Sequence, residues 1–509
     1  MIPAPRLDLA AAAPLLLVSI GAFVVLLGEI FLKSRRTLLG RAVTPAYTGS
    51  ALMLLGVLFL ALTAAVAAQG FAAGGAPAFN LDHPMIRLDR FASFATVVVC
   101  MASALSLLLS KNYLDELRIQ HGEYYALVLL ATAGMVLLVQ AVDLITVFLG
   151  IEIMSIPIYV LAGFDRRRLR SNESALKYFL VGSFASAILL YGMALLYGAT
   201  GSTHFDGIQA AFSTDSSLAM IGLALVLVGF TFKISSVPFH QWTPDVYEGA
   251  PVSVTAFMSV TVKLAAFAAL LRIVEGAFGE AGGSLEAVLY ALALLTMIVG
   301  NVMAVIQDNV KRLLAYSSVA HAGYLLVGFV AATEAAYAGV LFYLLVYVFM
   351  NLGAFGVLVA LAHRGQECER VDQLAGLART RPALAAVMTL FMVSLAGIPG
   401  TGGFMAKFAV FSAAVGAGHV TLAIVAVLAS LVSVYYYLRI PVLMYMREPG
   451  EEAPRMRIAS GEALVLTVCA VAVIWLGIFP QVAEDATPLL SWMRALDWTR
   501  ESVASLAAL

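Results

Sequence analysis

Fourteen stretches of about twenty apolar residues recur along the chain, each long enough to cross a bilayer as a helix. They fall at about 9–32, 46–68, 91–110, 124–140, 142–164, 173–198, 217–246, 252–275, 285–306, 311–332, 336–362, 383–415, 419–446 and 461–481. Inside lipid every backbone N–H and C=O must be satisfied within the protein, and a helix does this by itself. Composition agrees: charged residues are 12% of the chain, against roughly 25% in soluble domains. The fourth and fifth stretches are divided only by Gln140, Ala141, Val142 and Asp143, yet merged they are too long for one span. The expectation is an all-α polytopic membrane protein of about fourteen transmembrane helices. Only Arg6 precedes the first stretch, which is long enough to span, so no signal peptide is expected there.

Lysine and arginine in the loops set orientation. Loops after odd-numbered spans hold nineteen of them, whereas the opposite side, with both termini, holds only Arg6, Arg87, Arg90, Arg272, Arg494 and Arg500. This bias predicts both termini on the outer side of a bacterial inner membrane, and an even number of spans.

Of the thirty basic residues, five remain inside spans: Lys177, Lys233, Lys263, Lys407 and Arg439. A charge at the bilayer centre costs roughly 2.5–3.5 kcal/mol, so such residues need a reason to be there. Lys177 and Arg439 lie near cytoplasmic helix ends, where a long side chain snorkels to the interface. Lys233 and Lys263 lie too deep for that, as do Glu152 and His321, each about eleven residues into its span. Lys407 follows a break in its helix. Glu152 is expected to hold an opposite charge from Lys233, each keeping the other ionised. Histidine changes charge near neutral pH. Acids and bases alternating at one depth are what a lateral proton relay requires.

The spacing suggests an inverted repeat. Glu152 to Lys233 is 81 residues and His321 to Lys407 is 86; Lys233 to Lys263 is 30 and Lys407 to Arg439 is 32. The period is five helices, and an odd period turns the second copy upside down, as in many transporters. Spans seven and twelve both carry breakers, around Pro238 and Pro399. Proline removes a backbone donor and clashes with the preceding turn. Broken helices persist at membrane depth where they are buried or line a cavity. The division expected is a three-helix segment at 1–123, a first five-helix repeat at 124–275, a second at 285–446, and a last helix with tail at 461–509.

Four segments carry a family likeness: Phe148–Phe164, Pro238–Phe257 with Lys263 beyond it, Asn309–Gly328 and Ser394–Phe408. They resemble subunit N of bacterial NADH:quinone oxidoreductase, respiratory complex I, within the antiporter-like subunits. The Thr-Pro-Asp-Val-Tyr-Glu-Gly wording at 243–249 is the most specific part. Lys407 agrees, because the sister M-type subunit usually has glutamate there. One departure is Val252-Ser253, where the family often has Thr-Pro. The resemblance implies that Glu152 and Lys233 form a coupled pair and that Lys263 is the central relay. It also implies that Lys311 and His321 form the next link, and that Lys407 exchanges protons with the outside. The loop count above assigns Lys311 to an interface, so its role comes from the resemblance alone.

The same resemblance assigns NADH, FMN, Fe–S clusters and quinone to partner subunits. The chain itself has no P-loop, and Gly400–Gly403 is a helix breaker rather than a dinucleotide fingerprint. Cys100, Cys368 and Cys469 are too scattered for a disulfide framework, a cluster or a zinc site. A net charge of −1 points to no nucleic-acid partner. Only about 28 residues follow the last span, too few for the long lateral helix of an L-type subunit. Two alternatives share the buried charges and the repeat: a multi-subunit cation/proton antiporter and a membrane-bound hydrogenase.

Overall fold

A computed structural model describes residues 8–38, 45–75, 77–80, 83–363, 366–449, 458–479 and 495–507. Among these, helices are joined by loops, with isolated bridges but no sheet. Twelve helices among the described residues are long and apolar enough to cross a membrane, and three shorter apolar helices accompany them. The chain is an all-helical polytopic membrane protein. Twelve of the fourteen apolar stretches are single long helices; the seventh and twelfth are broken. Arg6, Arg41, Arg364, Arg455, Arg457, Arg494 and both termini lie outside the described residues, and so does the expectation about the termini.

Two compact units divide the chain. The first comprises Met1–Lys233, Thr261–Gly282 and Glu501–Leu509. Its main helices are α1 (Leu9–Leu38), α2 (Pro45–Ala73), α3 (Arg90–Glu116), α4 (Gly122–Gln140), α5 (Leu144–Ala162), α6 (Leu169–Thr200), α7 (Phe205–Ala211) and α8 (Ser217–Lys233). Here α1 packs on α2 and α4, α2 on α3, α4 on α5, α5 on α6, and α6 on α8. Asp143 is the reason α4 and α5 are separate. Its carboxylate accepts from the Ile145 and Thr146 N–H groups, capping α5, and from the Thr203 hydroxyl at 2.6 Å. Glycine then lets the two helices close up. A β-carbon at Gly134 would lie 2.2 Å from the Met154 nitrogen, and one at Gly150 would lie 2.8 Å from Leu138 Cα. Small residues at such crossings are how helices approach in lipid, where no hydrophobic force drives them together. This contact holds the helix that carries Glu152.

Arg272 departs from expectation. It is not an interface residue but lies 2% exposed, and its Nη2 donates to Asp89 Oδ1 at 2.6 Å. Asp89 is also the N-cap of α3, accepting from Ala92 N at 2.7 Å. Removing one partner of a buried pair strands the other charge and costs about 3–5 kcal/mol. Asp89→Ala is therefore expected to lower the thermal unfolding midpoint and the yield of assembled protein. An unchanged midpoint would show that the pair carries no stability.

The second unit comprises Ile234–Val260 and Gly283–Arg500. It holds α9 (Trp242–Gly249) and residues 252–260 of α10 (Val252–Ala277), whose remainder belongs to the first unit. Next come α11 (Gly282–Val305), α12 (Val310–Ala331), α13 (Glu334–Leu361) and the short α14 (Leu377–Thr380). The rest are α15 (Pro382–Ala396), α16 (Gly402–Gly416), α17 (Val420–Met446) and α18 (Ser460–Ile478). A last helix, α19 (Ala495–Ala507), straddles the division. Every residue of α12 except Arg312 is buried, and so is nearly all of α13, which packs against α15, α16 and α18.

Pro238 lies between α8 and α9, and Pro399 between α15 and α16. At the first, Ser235 takes φ +63° and the freed Val237 N–H donates to Thr296 Oγ1 of α11 at 3.1 Å. At the second, Gly397 and Gly400 take φ +84° and +87°, and Gly403 N donates to Ser394 Oγ at 3.1 Å. A backbone group without a partner is too costly at this depth to leave unpaired.

Candidate functional site

In the first unit Lys233 ends α8 and is 2% exposed. Its Nζ donates to Ser155 Oγ at 2.8 Å and to Tyr159 OH at 3.3 Å, and lies 5.6 Å from the centre of the Tyr159 ring. Ser155 and Tyr159 follow Glu152 by three and seven residues, so all three share one face of α5. Glu152 Oε1 is buried and has no hydrogen-bond partner. Lys233 thus meets the face of α5 that carries Glu152 without a hydrogen bond to that carboxylate. The lysine meets hydroxyls a turn further along the helix, and no carboxylate oxygen is bound to it. The last turn of α8 also suits a cation, because unsatisfied carbonyls gather there. Lys263 is the twelfth residue of α10 and 2% exposed, on a helix buried along nearly all of its length. Lys177, by contrast, is half-exposed and pairs with Glu173 at 2.8 Å.

The second unit holds Lys311, His321 and Lys407. Lys311 is not the interface cation that loop counting suggests. It stands in the first turn of α12, fully buried, and donates to Ala250 O at 2.8 Å and Glu367 Oε2 at 3.0 Å. His321, ten residues along the same helix, has a tyrosine on each ring nitrogen: Tyr343 OH on Nδ1 at 2.7 Å and Tyr437 OH on Nε2 at 3.0 Å. From here polar contacts continue. Tyr437 meets Ser317 Oγ and its ring lies 4.4 Å from that of Tyr436. Tyr436 OH donates to Asn301 Oδ1 at 3.0 Å, and Asn301 Nδ2 donates to Tyr324 OH at 2.9 Å. Lys407 Nζ lies 5.0 Å from the centre of the Tyr324 ring.

Lys407 is held by the break. Its Nζ donates to the carbonyls of Leu395 and Ala396 at 3.0 and 2.9 Å and to Ser430 Oγ at 2.8 Å. Those carbonyls belong to the last turn of α15, left without i+4 partners by the break. An ammonium there completes the turn and meets the negative end of the helix. Arg439, which the repeat spacing aligns with Lys263, behaves differently. It is a third exposed and pairs with Asp308 at 2.6 Å.

Sequence reasoning missed Glu367, Ser155, Asn301 and the tyrosines 159, 324, 343, 347, 436 and 437. The tyrosines had a signal. Tyr343 and Tyr347, whose ring lies 5.3 Å from that of His321, are four apart on α13, and Tyr324 is three residues from His321. A hydroxyl in an otherwise apolar span is placed there to bond something.

Residues 141–433 match the family model described as NADH:quinone oxidoreductase/Mrp antiporter, TM. NADH-quinone oxidoreductase subunit N of Trichlorobacter lovleyi is 47% identical over 84% of this chain and 89% of its own length. Subunit N 1 of Sorangium cellulosum is 46% identical over 92% and 96%. Among solved structures, a chain of respiratory complex I from Thermus thermophilus with bound aureothin is 33% identical, with TM-score 0.75, over 92% of this chain and 97% of that one. A chain of the Mrp complex from Dietzia, 24% identical, shares the fold at TM-score 0.81 over 98% of both chains. With its buried lysines, its two broken helices and relatives of this closeness along most of its length, the chain belongs to the subunit N family of NADH:quinone oxidoreductases, within the antiporter-like membrane subunits.

Proposed function

We propose that this chain is a proton-translocating membrane subunit of a bacterial NADH:quinone oxidoreductase, working with the other membrane and peripheral subunits of that complex. NADH, FMN, Fe–S clusters and quinone belong to those partners. The observation that carries the reading is how two of the buried lysines are held. Lys233 and Lys407 bond hydroxyls and backbone carbonyls rather than carboxylates, so no bound counter-ion holds the charge in place. A proton can leave such a lysine without breaking an ion pair. Glu152 and Lys233 take the roles of a coupled pair, Lys263 of a central relay, and Lys311 with His321 of the next link. Lys407 exchanges protons with the outer side. Between His321 and Lys407 the tyrosines and Asn301 supply hydrogen-bonded steps, joined by ring contacts at Tyr437–Tyr436 and at Tyr324–Lys407.

The same reading takes the twelve long helices and the two broken ones as fourteen spans, arranged as two inverted five-helix repeats with Pro238 and Pro399 at matching breaks. It places the chain in the bacterial inner membrane with both termini outside. The test is Glu152→Ala in the intact complex, with NADH-driven proton translocation measured in membrane vesicles. Translocation is expected to fall sharply while the complex still assembles. Full translocation would remove Glu152 from the relay.

A further inference from the structure

Glu367 has no part in the relay described above, yet it is an acidic side chain with no exposure. It lies between α13 and α14, one residue from the exposed Gln366. Its two oxygens differ. Oε1 accepts from the Val252 N–H at 3.0 Å, at the N-terminus of α10, and Oε2 accepts from Lys311 Nζ at 3.0 Å. The backbone bond fixes the carboxylate, and the positive end of the helix favours its charge. Lys311 has its other bond to Ala250 O. An acid so close to the surface, locked in orientation and touching one lysine, is placed for proton transfer.

We propose that Glu367 loads protons onto Lys311. This rests on the reading of Lys311 as a relay group. When the Lys311 ammonium passes its proton onward, it becomes a neutral amine beside the Glu367 carboxylate. The carboxylate takes a proton from water at the Gln366 surface and becomes a carboxylic acid. That acid gives the proton to the amine across the 3.0 Å contact, and the ion pair is restored. One proton enters, one leaves, and no electrons move. The pair is then the resting state of an entry gate as well as a structural link between α10 and α12.

The test uses the intact complex in proteoliposomes, with protons translocated per NADH oxidised as the readout and assembly checked on native gels. Glu367→Gln keeps the shape and the Val252 acceptor but cannot relay a proton. Its translocation is expected to fall about a hundredfold, as for Lys311→Ala, the low end of what a positioned acid–base group contributes. The double variant is expected to fall no further, because the two residues act as a unit. Glu367→Asp, which keeps the acid, is expected to retain most of the activity. Wild-type translocation in Glu367→Gln with loss in Lys311→Ala overturns the proposal alone, and equal loss in the Asp and Gln variants reduces Glu367 to packing. Full translocation in Lys311→Ala overturns the relay reading of that lysine, and the proposal with it. Should the Gln variant not assemble, Glu367→His takes its place. Its imidazole carries protons without negative charge, so activity well above Lys311→Ala supports loading and activity as low overturns it.

Discussion

Alanine in place of Lys263 is expected to reduce NADH-driven proton translocation by about a hundredfold, the low end of what a positioned acid–base group contributes. The side chain is 2% exposed within α10, so truncation also leaves a cavity. Methionine separates the two effects. It fills a similar unbranched volume but carries no proton, and it is expected to lose translocation just as fully. Stability is expected to move the other way. Burying a charge at a helix centre costs roughly 2.5–3.5 kcal/mol, so Lys263→Met is expected to unfold at a higher temperature than the native chain. More stability with less activity is the mark of a residue kept for function. Arginine completes the series. It keeps the positive charge but does not give up its proton. Lost translocation in Lys263→Arg fits a relay, whereas retained translocation shows that the site needs only a fixed charge. The measurements are proton uptake by inverted vesicles and thermal unfolding of the purified complex.

How much of this was legible in the sequence follows from what lipid does and does not constrain. Span length and apolarity are dictated by the bilayer, so the helices could be read, and Asp143 marked the split between α4 and α5. Pro238 and Gly397–Gly403 marked the breaks. A mid-span lysine is expensive, which makes Lys233 and Lys263 conspicuous. Glu367 is not conspicuous, because an acid between spans looks like any solvated loop residue. Only the path of the backbone turns it inward. Lys311 and Arg272 sit at the ends of apolar stretches and read as interface cations until their buried partners are seen. The tyrosines count as apolar in hydropathy, which hides their hydroxyls. That Lys233 bonds Ser155 and Tyr159 rather than the Glu152 carboxylate depends on where α8 stops along α5, a packing outcome that opposite charges alone do not specify.

Gly397→Ala is expected to remove most proton translocation, while Gly400→Ala, three residues away, is not. Both glycines have left-handed backbone, with φ of +84° and +87°. Either substitution therefore carries a similar strain, of order 1–3 kcal/mol, and both variants are expected to unfold at a lower temperature. Their surroundings differ. A β-carbon at Gly397 would lie 2.9 Å from Lys407 Cδ and 3.2 Å from its Nζ, whereas at Gly400 nothing lies within 4 Å. A methyl group at 397 pushes the lysine off the Leu395 and Ala396 carbonyls, and those oxygens lose the donor that completes the last turn of α15. The ammonium must then find other partners in a low-dielectric site, so its proton is no longer held where the relay needs it. Equal loss of translocation in both variants would assign the effect to the backbone of the break rather than to the seat of Lys407. Loss confined to Gly397→Ala, with matched stability, would show that the break exists to present two free carbonyls to a lysine that must bind and release a proton.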